Sequence, residues 1–152
     1  MDSLDLIAQT EITRDTLVLA ETLGAALLAR QWRCVTAESC TGGGVGAAIT
    51  MVPGSSAWFD GGGIVYSNAL KSTLLGVAQG DIERHGPISD VVVRAGPDGG
   101  TPDAPVGLVY MACAFPGGME VERCVYPGDR ASVRAHAVRG VLGLATYCLK
   151  RC

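Results

Sequence analysis

Four segments of the chain carry side chains whose types and spacing suit chemistry. The first is Ser39-Cys40-Thr41-Gly42-Gly43-Gly44. It lies between a short apolar run and a stretch of small residues, where a strand would turn into a helix. Backbone N–H groups at a helix N-terminus, with no side chains in the way, make an anion site. Ser39 and Thr41 add hydroxyls. The segment reads either as a cradle for a phosphate or developing oxyanion, or as a tight capped turn. Gly42-x-Gly44-x-x-Ala47 also approximates a dinucleotide fingerprint with Asp60 as its acid. That match is weak, because Asp60 precedes the second strand instead of ending it.

The second segment is Gly54-Ser55-Ser56-Ala57-Trp58-Phe59, whose serines are either reactive or part of a simple turn. The third is Tyr66-Ser67-Asn68-Ala69-Leu70-Lys71. Lys71 falls in the first turn of a helix, where a cation opposes the helix dipole. It reads either as a solvated surface lysine or as an amine whose protonated form is destabilised, suited to a general base. The Tyr–Lys spacing is one longer than that of a reductase Tyr-x-x-x-Lys pair. The fourth segment is Gly128-Asp129-Arg130. Asp129 caps a helix, and Arg130 is a surface residue or a bidentate phosphate ligand. His85 and His136 lie within helical patterns and suggest no triad, so a serine nucleophile would look to Lys71 as its base.

The elements that must hold these groups follow from periodicity. Residues 4–31 read as a helix with Leu19, Leu23, Ala26 and Leu27 on one stripe and Arg30 at its close. Residues 34–37 read as a buried strand, followed by a small-residue helix to about Met51. Residues 62–67 read as a second strand, with Ser67 or Asn68 capping the helix of Lys71 and Gly76 ending it. Residues 78–85 form a short helix, and Ser89 starts another helical pattern that stops after Arg94. Residues 106–115 and 119–126 are strands joined at Pro116-Gly117-Gly118. Asp129 then caps a long helix with Val133, Ala137, Val141, Leu144 and Cys148 on one face. A sheet covered by helices on both sides accommodates this order.

Composition narrows the class. The chain has 152 residues, 48% hydrophobic and 18% charged, with 21 glycines. That is too apolar for a disordered chain. No uninterrupted apolar span crosses a membrane. The net charge of −3 and the absence of a Lys/Arg run argue against nucleic acid. The six cysteines lack metal-ligand spacing, so no metal is expected, and four of them read as small hydrophobes. The N-terminus has no leader pattern, so a cytoplasmic setting is expected. Eight glycines lie in 42–63 and six in 96–118, which marks the functional surface.

Taken together, the segments resemble the CinA C-terminal domain family. The resemblance is carried by Thr36-Ala37-Glu38-Ser39-Cys40-Thr41-Gly42-Gly43, Pro53-Gly54-Ser55-Ser56-Ala57-Trp58-Phe59 and Val65-Tyr66-Ser67-Asn68-Ala69-Leu70-Lys71. Ala95-Gly96-Pro97-Asp98-Gly99-Gly100, Pro105-Val106-Gly107 and Pro127-Gly128-Asp129-Arg130 continue it in family order. It implies a single α/β domain over 1–152, a three-layer α/β/α sandwich with a mixed sheet. It implies hydrolysis of the carboxamide of nicotinamide mononucleotide to nicotinate mononucleotide and ammonia, without cofactor or metal. Ser56 would be the nucleophile, with Tyr66 and Lys71 activating it. Ser39, Thr41, Gly42, Gly43, Ser55, Gly96 and Arg130 would bind the small-molecule nucleotide. An inactive nucleotide-binding or interaction module of the same fold is the alternative, and homo-oligomer formation stays open.

The chain departs from the family between Arg94 and Ala95, where about 20 residues, the length of one helix plus one strand, have no counterpart. Either a core strand has been lost, or the sequence is joined across a stretch it omits; a domain rarely survives losing a core strand, which favours the second. The separate N-terminal domain of longer family members is also absent from this sequence.

Overall fold

A computed structural model describes residues 13–85 and 105–152. Helix α1 (Arg14–Ala29) starts at Thr13, whose hydroxyl accepts from the Thr16 N–H, and ends at Arg30. Strand β1 (Cys34–Glu38) leads into α2 (Gly44–Thr50). A 3-10 turn (Ser55–Ala57) precedes β2 (Phe59–Ile64). Helices α3 (Asn68–Leu75) and α4 (Gln79–His85) follow. The hairpin β3 (Leu108–Phe115) and β4 (Gly118–Val125) and the long helix α5 (Arg130–Lys150) complete the described chain. Helices combined with parallel and antiparallel strands make this a mixed α/β protein, as the element order requires.

The caps sit where the side chains predict. Ser67 Oγ accepts from the Leu70 N–H, Gly76 closes α3 at φ 69°, and Asp129 accepts from the Ser132 N–H at the head of α5. Strand β2 begins earlier than residues 62–67. Pairing with Cys34 draws Phe59 into the ladder, while Tyr66 and Ser67 leave it to start α3.

Strand β1 pairs with β2 in parallel, and β3 pairs with β4 antiparallel, Leu108 opposite Val125. Among the described residues the strands thus form one parallel and one antiparallel pair, the mixture of directions expected. Helix α5 bridges them. Its Val133, Ala137, Leu144 and Cys148 pack with Val109 and Met111 of β3. Its Val138, Leu142 and Leu149 pack with Ala20, Leu23 and Leu27 of α1 and with Ile49 and Trp58. The helix therefore buries two faces where a single stripe was expected, because it lies between β3 and α1. Trp58 fits flat against α1 at Gly24, where an added Cβ would lie 2.6 Å from the indole. Cys34, Cys40, Cys113, Cys124, Cys148 and Cys152 are all free thiols.

Candidate active site

The Ser39–Gly44 turn is organised by a residue that the sequence reading passed over. Glu38, at the end of β1, is buried. Its carboxylate accepts from Thr41 Oγ1 at 2.8 Å and from the N–H groups of Gly43 at 3.1 Å, Val45 at 3.0 Å and Gly46 at 2.8 Å. The N–H groups of Gly42 and Gly44 bond back to Ser39 and Thr41 carbonyls. The donors at the start of α2, read either as an anion cradle or as a tight capped turn, are taken by the chain's own carboxylate. The positive end of a helix and three free donors favour a negative charge there, and Glu38 supplies it. Gly43 reaches φ 96° in this turn, where a side chain would be strained and would also meet Ile64. Arg134, one turn into α5, donates from Nε to the Cys40 carbonyl at 3.1 Å and from Nη2 to the Thr41 carbonyl at 3.2 Å. An acidic residue directly before Ser-x-Thr-Gly-Gly was the available signal for Glu38. Arg134, 94 residues from Cys40 in the chain, had none. Ser39 Oγ is buried with no hydrogen-bond partner among the described residues.

The serine turn is held by Arg33. Its guanidinium donates to Asp60 at 2.6 Å, to the Ala57 carbonyl at 2.5 Å and to the Ser56 carbonyl at 2.9 Å. Asp60 thus serves as a structural partner at the start of β2, and the dinucleotide fingerprint loses its acid. Ser56 is exposed on the turn while Ser55 is buried beneath it.

Lys71 is not a surface lysine. It is 2% exposed, on the first turn of α3. Tyr66 is exposed, and its hydroxyl accepts from Arg130 Nη2 at 3.1 Å. The structure therefore joins Tyr66 to Arg130 across the start of α3 and α5. Lys71, Glu38, Ser39 and Thr41 line one cavity of about 940 Å³, and Ser56 is not among its lining residues. The described contact of Ser56 is the one its carbonyl makes with Arg33. Gly96 and the Arg94–Ala95 junction lie outside the described residues. Among the described residues no group of three or more His, Cys, Asp or Glu is placed to hold a metal ion. No helix among them is long and apolar enough to cross a membrane.

Three of the thiols, Cys34, Cys113 and Cys148, have raised pKa values, with burial the first cause in each. Burial pushes the Cys113 thiol up to about 12, with the neighbouring Cys148 adding to it. Burial also raises Cys148. These thiols behave as the small hydrophobic groups expected.

Comparison with known proteins places this arrangement. The chain is 40% identical to the nicotinamide-nucleotide amidohydrolase PncC of Enterobacter agglomerans, over 78% of this chain and 86% of that protein. It is 40% identical to the PncC of Pseudomonas putida, over 84% of this chain and 96% of that protein. The crystal structure of a competence-damaged protein (CinA) superfamily protein from Klebsiella pneumoniae 700603 superimposes with a TM-score of 0.84 at 30% identity, covering 90% of this chain and 99% of that one. The family model described as the CinA C-terminal domain matches residues 16–95 and 94–149, two segments that meet at the Arg94–Ala95 junction. With nearly the whole described chain matched, the protein belongs to the CinA C-terminal domain family.

Proposed function

We propose that the chain hydrolyses the carboxamide of nicotinamide mononucleotide, giving nicotinate mononucleotide and ammonia. The observation that carries this reading is Lys71, a lysine buried at the head of α3 on the same cavity as Ser39 and Thr41. A general base must sit close to the reacting group and out of bulk water, and the buried head of α3 puts an amine there. The names borne by relatives 40% identical to the chain supply the substrate class.

In this reading Ser56 Oγ attacks the carboxamide carbon, and its proton passes to Lys71 directly or through Tyr66. The tetrahedral intermediate collapses with loss of the C–N bond, and the leaving nitrogen takes the proton from Lys71 and departs as ammonia. Water then attacks the acyl-enzyme, its proton returning by the same route, and nicotinate mononucleotide leaves. The amides at the start of α2 are engaged by Glu38, so the phosphate is assigned to the Arg130 guanidinium. The hydrogen bond from Arg130 to Tyr66 would link phosphate binding to the placement of the proton relay. Ser39, Thr41, Gly42, Gly43, Ser55 and Gly96 complete the proposed substrate contacts.

Ammonia release from nicotinamide mononucleotide by the purified protein tests the activity. Ser56→Ala and Lys71→Ala should each abolish it while circular dichroism stays unchanged. Full turnover in a folded Ser56→Ala variant would remove Ser56 as nucleophile, and Ser55→Ala would then be the next substitution to compare.

A second reading is an inactive nucleotide-binding or interaction module. The apparent gap between Arg94 and Ala95 favours it, since a catalytic cleft depends on a complete frame. Binding of nicotinamide mononucleotide without ammonia release would select this reading.

A further inference from the structure

The serine turn is closed by groups outside it. Within the turn, the N–H groups of Ser55, Ala57 and Trp58 bond to the carbonyls of Val52, Gly54 and Ser55. Bonds of this short i to i+3 type leave the carbonyls of Ser56, Ala57 and Trp58, at the end of the turn, to find partners elsewhere. The head of β1 engages all of them. The Cys34 N–H donates to the Trp58 carbonyl at 2.8 Å. The Arg33 guanidinium donates from Nη1 to the Ala57 carbonyl at 2.5 Å and from Nη2 to the Ser56 carbonyl at 2.9 Å. Its Nε donates to Asp60 Oδ1 at 2.6 Å. Each nitrogen of the planar fork thus has its own acceptor, and together the acceptors fix its plane.

Ser56 depends on this clamp more than its neighbours do. Ser55 and Trp58 are buried, so packing anchors the turn on either side of Ser56. Ser56 itself is exposed, and its described contact is the one with Arg33. The turn is entered through Gly54 at φ 79°, a residue type that moves readily between conformations. The restraint on Ser56 therefore comes from the far side of the turn, where Arg33 sits. Arg33 also lies outside the motifs that carry the family resemblance, the nearest of which begins at Thr36.

We infer that Arg33 is a positioning residue, which fixes the Ser56 backbone and through it the direction of the Ser56 hydroxyl for attack on the substrate's carboxamide carbon. This rests on the amidase reading, in which Ser56 is the nucleophile. The attacking oxygen must lie about 3–3.5 Å from that carbon and in line, and a misplacement near 1 Å costs about 100-fold in rate. Arg33 acts on the backbone of the nucleophile and not on the substrate, so its loss falls on kcat and leaves KM. Asp60 orients the guanidinium and touches neither carbonyl.

Steady-state ammonia release from nicotinamide mononucleotide, with amide exchange on the same variants, tests this. Arg33→Ala should lower kcat roughly 10- to 100-fold with KM within about threefold of the parent. Arg33→Lys keeps the charge without the fork and should stay within about threefold of Arg33→Ala. Asp60→Asn keeps an acceptor for Nε and should hold kcat within about threefold of the parent. Arg30→Ala is the control for a purely structural loss, because Arg30 bonds to the Ala26 and Leu149 carbonyls and not to the turn. It should lower the melting temperature and leave kcat unchanged. Exchange at the Ala57 and Trp58 amides should speed up at least about tenfold in Arg33→Ala and not in Arg30→Ala. The inference is overturned by a kcat of Arg33→Ala within about twofold of the parent, by a loss confined to KM, by full activity in Arg33→Lys, or by an equal kcat loss in Arg30→Ala. A parent that releases no ammonia removes the amidase reading. Faster exchange in Arg33→Ala would then still uphold Arg33 as the residue that fixes Ser56, and unchanged exchange would overturn it.

Discussion

Replacing Glu38 by alanine tests the idea that an internal carboxylate holds the Ser39–Gly44 turn. The side chain accepts four hydrogen bonds of 2.8–3.1 Å, three from backbone N–H groups at the start of α2. Hydrogen bonds to a charged group contribute about 1.5–3 kcal/mol each. Their sum overstates the loss, because Gly42 is exposed and water can reach the vacated turn. Two bonds lost without replacement, with the favourable charge at the helix terminus, put the cost of Glu38→Ala at roughly 3–5 kcal/mol. That is a large share of the ~5–15 kcal/mol by which a domain of this size is stable. Glu38→Gln keeps the shape but turns an NH2 towards backbone donors, and should cost about 1–3 kcal/mol. Urea unfolding followed by circular dichroism measures both. The vacated amides of Gly43, Val45 and Gly46 should then bind inorganic phosphate, so phosphate should raise the unfolding midpoint of Glu38→Ala more than that of the parent protein. A Glu38→Ala variant within 1 kcal/mol of the parent, or phosphate stabilising both equally, would refute the assignment.

Other consequences can be measured on the same protein. Trp58→Ala, at a side chain 1% exposed, should lose about 3–5 kcal/mol in urea unfolding. Gly24→Ala places its Cβ 2.6 Å from that indole and should cost roughly 1–3 kcal/mol, relieved in the Trp58→Ala background. The Cys113 thiol keeps its proton in the folded chain up to about 12, whereas in the unfolded chain it loses it near the ordinary 9.0. Its contribution to stability is therefore complete below pH 9.0 and fades as pH rises towards 12, which alkaline unfolding of Cys113→Ala against the parent would show. At pH 8, iodoacetamide should modify the exposed Cys152 and spare Cys113 and Cys148, as read by mass spectrometry.

The position of Glu38 changes how the glycine-rich turn works. An open helix terminus would have offered its amides to an external anion. With a carboxylate in place, the same amides fix the loop conformation, and Arg134 holds its carbonyls from the other side. Ser39 and Thr41 thus lie on a loop whose Gly42, Gly43 and Gly44 N–H groups and Cys40 and Thr41 carbonyls are already bonded, which holds its conformation.

Local signals in the sequence determined most of the elements. Ser67, Asp129 and Gly76 fix the ends of α3 and α5 through hydrogen bonds within a few residues, and such bonds are written in the order of the chain. The stripe of Leu23 and Leu27, and that of Val133, Ala137 and Cys148, placed the helices' buried faces for the same reason. The motifs Ser39–Gly44, Ser55-Ser56 and Tyr66–Lys71 carried the family resemblance. Only the tertiary structure decided what depends on residues distant in sequence or on burial. It showed that Lys71 is buried, since a lysine in a first helical turn reads as exposed until its neighbours are known. It showed that Glu38 fills the helix terminus and that Arg33 and Arg134 staple the two loops, because side-chain reach leaves no periodic trace. It also decided that β1 pairs with β2 in parallel and β3 with β4 antiparallel, since pairing joins residues far apart in the chain and a strand's period of two does not say which neighbour it takes.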